Sequence, residues 1–218
     1  MISHQTNSKK NLEQYIIGLT GNICSGKSKA AEYFEQLGAY VLDMDKLVHE
    51  LYQKNIPLKY KLCKKFGIKI LNKKLEVDRK KLGSIVLPDK SKMKELEEIT
   101  WPYVGRESRK KIKNKKGIIV LEAAMLYESG VDKKMDKNVL VIADEEWRVK
   151  RLMVRNNISR EEALKRVELQ MPQLEKIFKS DYVIFNDGTL DDLKENVKRT
   201  FASLRSDYSE KNHLSSLE

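Results

Sequence analysis

The chain has 218 residues, of which 40% are hydrophobic and 34% are charged, and its formal net charge at pH 7 is +11. This length and balance predict one globular domain with a sizeable core, or one domain with an inserted piece. The sequence has no run of about 18 apolar residues, and the polar stretch at 1–14 lacks the apolar segment of a signal peptide. We therefore expect a cytoplasmic protein with no membrane partner.

Cysteine and histidine leave little scope for disulfides or metal clusters. The sequence has two cysteines, Cys24 and Cys63, and three histidines that do not cluster. Catalysis is therefore expected to depend on carboxylates, lysine, arginine and a metal ion. The positive charge fits either a nucleic acid or small substrates that carry several phosphates. Because the basic runs are not interleaved with aromatic residues, we expect small substrates and no nucleic-acid partner.

In chain order, residues 1–14 are predicted to be a disordered extension, and the apolar segment 15–19 is predicted to be the first strand. Residues 21–28 read Gly-Asn-Ile-Cys-Ser-Gly-Lys-Ser and match the phosphate-loop pattern G-x-x-x-x-G-K-[ST]. A helix with apolar residues at helical spacing is predicted at 29–37. Lys27 is expected to reach the β- and γ-phosphates of ATP, and Ser28 to ligate Mg²⁺. We predict that all of residues 21–29 contact the nucleotide.

Two acidic residues follow the second predicted strand, at 39–42. Asp43 and Asp45 stand one residue apart at the carboxyl end of that strand, beside the phosphate loop in the expected sheet. Phosphoryl transfer needs one carboxylate to orient the attacking hydroxyl and others to hold the metal. The alternative is that one of the two only caps the predicted helix at 46–54.

Residues 46–116 depart from strand–helix alternation. Helical patterns dominate, interrupted by Pro57, Pro88 and Pro102, and the segment is too long for a simple crossover. We interpret it as a helical subdomain that holds the phosphoryl acceptor. Arg79 lies at the start of a helix there, where it could bind a substrate phosphate or serve as an ordinary surface cation.

The second half of the chain returns to alternation. The third strand, 117–121, is followed by Glu122, in the position of a carboxylate that reaches Mg²⁺ through water. After a fourth strand at 138–143, residues 145–180 are predicted to form a helical lid. Arg151 and Arg155 are four residues apart, so they share one helical face that could close over the triphosphate or remain solvated.

A fifth strand at 182–185 and a helix at 190–204 complete the pattern, and 206–218 are predicted to be a flexible tail. The sequence thus predicts an α/β protein: a P-loop three-layer α/β/α fold with a parallel five-stranded sheet, a helical substrate-binding insertion and a helical lid. The nucleotide-binding core is expected at 15–45 and 117–205.

From residue 15 to about residue 197 the chain resembles the dephospho-coenzyme A kinase family. The resemblance is carried by residues 19–28, 41–45 (Val-Leu-Asp-Met-Asp), 126–128 (Leu-Tyr-Glu), 151–155 (Arg-Leu-Met-Val-Arg), 159–163 (Ser-Arg-Glu-Glu-Ala), 170–172 (Gln-Met-Pro), 175–176 (Glu-Lys), 181–184 (Asp-Tyr-Val-Ile), Asn186 and Gly188. It implies transfer of the ATP γ-phosphate to the ribose 3′-hydroxyl of dephospho-CoA, the last step of coenzyme A synthesis.

The resemblance also implies roles for single residues. It places Thr20 and Asp45 beside the acceptor hydroxyl and Arg151 in the lid, and it makes Asp43 a metal partner. Together with the motif analysis it gives four groups: catalytic Asp45, Lys27, Arg151 and Thr20; nucleotide-binding Gly21, Asn22, Ile23, Cys24, Ser25, Gly26, Lys27, Ser28, Lys29, Arg155 and Asn186; substrate-binding Asp43, Asp45, Arg79 and Glu122; and metal-binding Ser28 and Asp43. Asp45 is favoured over Asp43 as the base.

The chain departs from the family pattern at several places. Asn22, Cys24 and Lys29 replace a glycine, a glycine and a threonine in the loop, and Trp101 replaces a histidine. Cys24 lies near a helix N-terminus and Lys27, so a depressed thiol pKa is expected. The alternatives are another small-molecule kinase, of nucleoside monophosphate or shikimate type, and a nucleic-acid-binding P-loop ATPase. The protein is expected to be a monomer or a weak homo-oligomer.

Overall fold

A computed structural model describes residues 13–215, so residues 1–12 of the disordered extension predicted at 1–14 and the last three residues lie outside the described part of the chain. The strands are β1 (Gln14–Gly21), β2 (Tyr40–Asp43), β3 (Gly117–Glu122), β4 (Lys137–Ile142) and β5 (Tyr182–Phe185). The α-helices are α1 (Lys27–Gln36), α2 (Met44–Lys54), α3 (Ile56–Phe66), α4 (Arg79–Val86), α5 (Lys90–Ile112), α6 (Glu145–Asn156), α7 (Arg160–Glu168), α8 (Gln173–Ile177) and α9 (Leu190–Ser215).

The strands form one parallel sheet in the order β2-β3-β1-β4-β5. This confirms the predicted α/β class and the five-stranded parallel sheet. Parallel pairing brings the carboxyl ends of all strands to one edge, where Asp43 lies opposite Glu122 in the register of β2 and β3. Ligands of open α/β sheets bind at this edge.

Helices cover both faces of the sheet because successive residues of a buried strand point to opposite sides. In β3, Ile118 and Val120 pack in a core with α1 and α9, whereas Ile119 and Leu121 pack in a second core with α2, α3, α4 and α5. The sheet is therefore the middle layer of three, as the sequence predicts.

The predicted helical insertion is α2 to α5, between β2 and β3. Asn55, Asp78 and Asp89 cap three of these helices by accepting hydrogen bonds from backbone N–H groups. The prediction that Pro102 interrupts the helical pattern is wrong, because Pro102 lies inside α5. Packing of the helix against α2, α3 and α4 compensates for the missing N–H donor. No helix within residues 13–215 is long and apolar enough to cross a bilayer.

A third, smaller core joins α6 and α7. Val149, Leu152, Ala163 and Val167 are buried against one another, and loop residues Ile23 and Cys24 pack at their edge. The segment predicted as a lid is thus helical and touches the phosphate loop directly.

The predictions for the two ends of the chain need correction. Gln14, assigned to the disordered extension, opens β1, and its side-chain amide donates to the carbonyls of Ile112 and Lys115 at 2.6 and 2.8 Å. The predicted flexible tail is also wrong for residues 206–215, which continue α9. The reason is tertiary packing: the Tyr208 ring lies on Tyr15, with 5.6 Å between ring centroids.

This packing predicts that Tyr208→Ala lowers the free energy of unfolding by about 1–3 kcal/mol, because it removes an aromatic pair and the hydrogen bond that the Tyr208 hydroxyl donates to the Glu13 carbonyl. Urea denaturation followed by circular dichroism measures the change. The matched control is Ser209→Ala, an exposed position on the same turn, with an expected change under about 0.5 kcal/mol. Equal values for the two variants would show that the tail is frayed.

Candidate active site

A cleft of about 820 Å³ lies at the carboxyl edge of the sheet. The whole predicted loop at 21–29 lines it, which places the phosphate-binding motif where the sheet topology requires a ligand site. Other parts of the chain complete the wall: Asp45, Ala124, Arg151, Arg155, Gln170, Asn186, Gly188, Thr189, Leu190 and Leu193.

The loop ends at Gly26, which adopts φ 95°, a left-handed conformation that glycine accepts without strain. A side chain at this position would also overlap the amide of Asn186. That amide donates to the Ser25 carbonyl at 2.7 Å, so the loop and the turn after β5 are held together. Asn186 is buried, and the structure gives it a role in shaping the loop, beside the nucleotide contact that the sequence predicts.

Two further contacts fix the loop from the lid side. The backbone N–H of Ile23 donates to Gln170 Oε1 at 2.7 Å, and the Asn22 side chain donates to the Met171 carbonyl at 3.0 Å. The sequence analysis used Gln170 and Met171 only as part of the resemblance and gave them no role in the site. The resemblance was the feature of the sequence that singled them out. Their contacts join residues about 150 positions apart, so no local pattern of apolar residues indicates them.

Cys24 occupies a strained position. Its φ is 59°, in the left-handed region that non-glycine residues rarely adopt, which explains why a glycine is the usual residue there. The prediction of a depressed thiol pKa is wrong. Burial raises the pKa of the Cys24 thiol, and this outweighs the opposing effect of the guanidinium groups of Arg155, Arg151 and Arg148.

Lys27, Ser28 and Glu122 form a tight group at the floor of the cleft. The Lys27 ammonium lies 2.8 Å from Glu122 Oε1, and the Ser28 hydroxyl donates to the same oxygen at 2.7 Å. Asp45 faces this group, with Oδ2 3.7 Å from Lys27 Nζ. The Asp45 side chain is 50% exposed, whereas that of Glu122 is 6% exposed. Asp45 is therefore the carboxylate in this cluster that a substrate can approach from solvent.

The structure separates the two acids of the second strand. Asp43 caps α2, since its Oδ1 accepts from the Lys46 N–H at 2.8 Å, as the alternative interpretation anticipated. Asp45 lies in the first turn of the same helix and lines the cleft. Its Oδ2 also accepts from the Ala124 N–H at 3.3 Å, so the backbone after β3 orients it.

Thr20 is not brought to the cleft surface. The residue is fully buried, and its hydroxyl donates to the Ala124 carbonyl at 3.3 Å. The expected place of Thr20 beside the acceptor hydroxyl stays a prediction. Thr20 bonds the carbonyl of Ala124, the residue whose N–H binds Asp45.

The predicted arginines fall into two groups. Arg151 and Arg155 both line the cleft, and the Arg151 guanidinium donates to the carbonyls of Cys24 and Asn186 at 3.3 and 3.2 Å. Arg79 lies elsewhere, exposed at the start of α4 in the helical insertion. The geometry thus brings the lid arginines to the loop and leaves Arg79 away from it.

Other residues of the resemblance anchor the lid to the core. Lys176 on α8 is fully buried, with Nζ 2.9 Å from Glu128 Oε1. The Tyr127 and Ser180 hydroxyls lie 2.6 Å apart. These contacts explain why the stretch after β3 and the end of the lid belong to one motif series.

The donor set at the loop suits a hard cation that also binds phosphate. Ser28 and the nearby carboxylates supply oxygen ligands, which Mg²⁺ prefers. Within residues 13–215 no group of three or more histidine, cysteine, aspartate and glutamate side chains forms a metal site by itself. A magnesium ion here would therefore take part of its ligand set from the nucleotide, as in kinases of this type.

Kinases of the P-loop class place such a loop after the first strand of a parallel sheet and a carboxylate opposite it, and the cleft follows that plan. More narrowly, the chain belongs to the dephospho-CoA kinase family, a family of ATP-dependent kinases whose sequence model matches residues 15–192.

Individual relatives agree with this assignment. The dephospho-CoA kinase of Aquifex aeolicus is 42% identical over 193 residues, which cover 88% of this chain and 98% of the relative. Among solved structures, TT1252 from Thermus thermophilus gives a TM-score of 0.77 at 34% identity, covering 88% of this chain and 98% of that one. The dephospho-CoA kinase from Campylobacter jejuni gives 0.64 at 28% identity with the same coverage. The fold and the family are therefore established together.

The buried thiol gives a prediction about pH. Because burial raises the Cys24 pKa, less thiolate is present at neutral pH than for an exposed cysteine, and the midpoint of its alkylation rate should lie above pH 8.5, roughly the ordinary thiol value. Iodoacetamide labelling of a Cys63→Ser variant across pH isolates this site. Mg-ATP should slow the labelling, since Cys24 lines the cleft. A midpoint below that of a free cysteine peptide, or equal labelling with and without nucleotide, would contradict the assignment.

Proposed function

We propose that the protein transfers the γ-phosphate of ATP to the ribose 3′-hydroxyl of dephospho-CoA and releases CoA and ADP, the last step of coenzyme A biosynthesis. The observation that carries the proposal is the half-exposed Asp45 carboxylate, 3.7 Å from the phosphate-loop Lys27 in a chain of the dephospho-CoA kinase family. A carboxylate placed there can orient an acceptor hydroxyl against a phosphate held by the loop.

In this proposal the loop binds the phosphates of ATP, and the predicted lid supplies cations to them. Backbone N–H groups at the end of the loop and the start of α1 receive the phosphates, while the N–H groups of Ile23 and Ser25 keep their bonds to Gln170 and Asn22. Lys27 moves from Glu122 to the β- and γ-phosphates. Arg151, held at the loop by two carbonyls, stabilises the negative charge that develops during transfer, and Arg155 adds a second cation from the same face of α6.

Magnesium is the proposed metal, with Ser28 and Asp43 as its protein ligands. When bound it neutralises phosphate charge. Asp43 uses Oδ1 for the helix cap, and its carboxylate stands opposite Glu122 in the sheet. We assign Glu122 to the polar floor of the site, where its bond to Ser28 fixes the direction of that hydroxyl.

Asp45 is the proposed base. It accepts the proton of the acceptor hydroxyl as the phosphoryl group is transferred, and it is oriented for this by the Ala124 N–H. Thr20 acts through the same residue by binding the Ala124 carbonyl. We therefore assign Thr20 to positioning and Asp45 to the reaction itself.

The helical insertion is the proposed acceptor domain, and its charge supports this. Residues 46–116 contain 22 lysines and arginines against 8 acidic residues, a net charge of +14, whereas the rest of the chain has 21 against 24, a net charge of −3. The positive excess of the protein therefore resides in the part proposed to bind a substrate that carries a diphosphate. Such a surface raises the local concentration of an anionic acceptor, and Arg79 belongs to it.

The remaining partner assignments stay predictions: dephospho-CoA as the small-molecule substrate, no nucleic-acid partner, a cytoplasmic location, and a monomer or weak homo-oligomer. The concentration of charge on the insertion gives the nucleic-acid alternative its strongest argument. Binding to DNA or RNA that falls steeply with salt would support that alternative.

The first test is acceptor selectivity. The kcat/KM for ADP release from Mg-ATP should be at least about 100-fold higher with dephospho-CoA than with adenosine, AMP or shikimate. Those three acceptors lack the diphosphate that the basic insertion is proposed to bind. Turnover with AMP or shikimate at the dephospho-CoA rate would establish another small-molecule kinase instead.

The second test separates the two acids. Asp45→Asn should lower kcat by about 10²- to 10⁴-fold, the usual contribution of a general base, with little change in the KM for ATP. Asp43→Asn is the matched control for the base, because asparagine caps a helix as well as aspartate and only the charge is lost. It should change mainly the Mg²⁺ dependence. A loss of kcat in Asp43→Asn as large as in Asp45→Asn would contradict the assignment of the base.

A further inference from the structure

Arg148 is a buried cation that the mechanism above does not use. It lies in α6, its side chain is 4% exposed, and within residues 13–215 its Nε and Nη1 atoms have no hydrogen-bond partner. Nη2 is 3.6 Å from Glu145 Oε2, but the Glu145 side chain is 61% exposed and remains largely solvated. Asp144 also acts on Arg148 electrostatically, but the Nε and Nη1 atoms stay without a hydrogen-bond partner among these residues, so the protein compensates this charge incompletely.

Two further arginines lie near Arg148, and repulsion between like charges adds to the cost of burying its guanidinium group. Arg148, Arg151 and Arg155 follow one another along α6 at spacings of three and four residues, so they lie on one side of the helix. All three act electrostatically on Cys24, at the centre of the phosphate loop. The ligand-free site thus gathers three positive charges beside the loop.

Burial of a guanidinium group opposes its charged form, and it lowers the pKa of Arg148. Arginine nevertheless remains protonated in proteins. An apolar side chain of similar length would fill the same space in α6 without this cost, since replacing buried charges by apolar groups is often neutral or stabilising. Packing alone therefore does not account for an arginine at this position.

We propose that Arg148 is a positioning residue of the nucleotide site, whose buried charge is compensated by the triphosphate of the bound nucleotide rather than by the protein. It acts through the loop at Cys24 and strengthens the binding of polyphosphate. The inference rests on the proposed function for the identity of the ligand, which is a nucleoside triphosphate with Mg²⁺.

The test measures both stability and binding. The proposal predicts that removing the Arg148 charge leaves the ligand-free protein as stable or more stable but weakens its binding of polyphosphate. Arg148→Met keeps the apolar stem, and Arg148→Gln keeps a polar end. In both, the Tm of the ligand-free protein should stay level or rise, by up to about 8 °C in Arg148→Met. The Kd values for Mg-ATP and for inorganic tripolyphosphate should rise about tenfold, because a positive charge near the phosphates is lost. The Kd for adenosine, which has no phosphate, should stay unchanged. Thermal melts and calorimetric titration supply these values.

The matched control is Arg166→Gln, which removes the same charge from an exposed position on α7. Its Tm and Kd values should stay close to those of the wild type. A lower ligand-free Tm in both Arg148 variants, or wild-type affinity for tripolyphosphate, would overturn the proposal and make Arg148 an ordinary packing residue. Failure of the proposed function would appear separately, as absence of dephospho-CoA turnover in the wild type, and the binding comparison would still be decisive.

Discussion

The geometry of the site depends on the hydrogen bonds that fix the backbone of the phosphate loop. Backbone N–H groups can point toward an anion only if the surrounding peptide groups find other partners. Here the Ser25 carbonyl accepts from Asn186, the Cys24 carbonyl accepts from Arg151, and the Ile23 N–H donates to Gln170. These partners come from the lid and from the turn after β5. The shape of the loop and the position of the lid are therefore one constraint, which also compensates for the left-handed conformation forced on Cys24.

Features with a local cause could be predicted from the sequence. The loop, the apolar strands and the helical insertion follow from glycine positions and hydrophobic periodicity, and the structure confirms them. Features decided by distant contacts could not be. The burial that sets the Cys24 pKa, the aromatic pair that orders Tyr208, and the packing that carries α5 through Pro102 all join segments far apart in sequence. Local residue preferences alone give the wrong prediction in each of these three cases.

The same division applies to the acids of the site. The sequence predicts both carboxylates near the loop, because strand ends gather at one edge, and the structure places Asp45 in the cleft lining. Their different positions follow from about half a turn of helix between them: Asp43 is the cap of α2, and Asp45 lines the cleft. Thr20 illustrates the opposite limit, since the resemblance implies a role for it but the sequence gives no sign of its contact with Ala124, about 100 residues away. Contacts between residues far apart in the chain, such as Thr20 with Ala124, are thus the part of the site that local sequence patterns do not predict.

The position of β1 in the middle of the sheet has a consequence for synthesis of the chain on the ribosome. β1 is synthesised before its neighbours β3 and β4, and the pairing of Tyr15 with Ile118 spans about 100 residues. Until those strands have left the exit tunnel, both edges of an apolar strand stay unpaired while the charged helices of the insertion fold beside it. The charge of the insertion opposes association between such incomplete chains, because like charges repel one another.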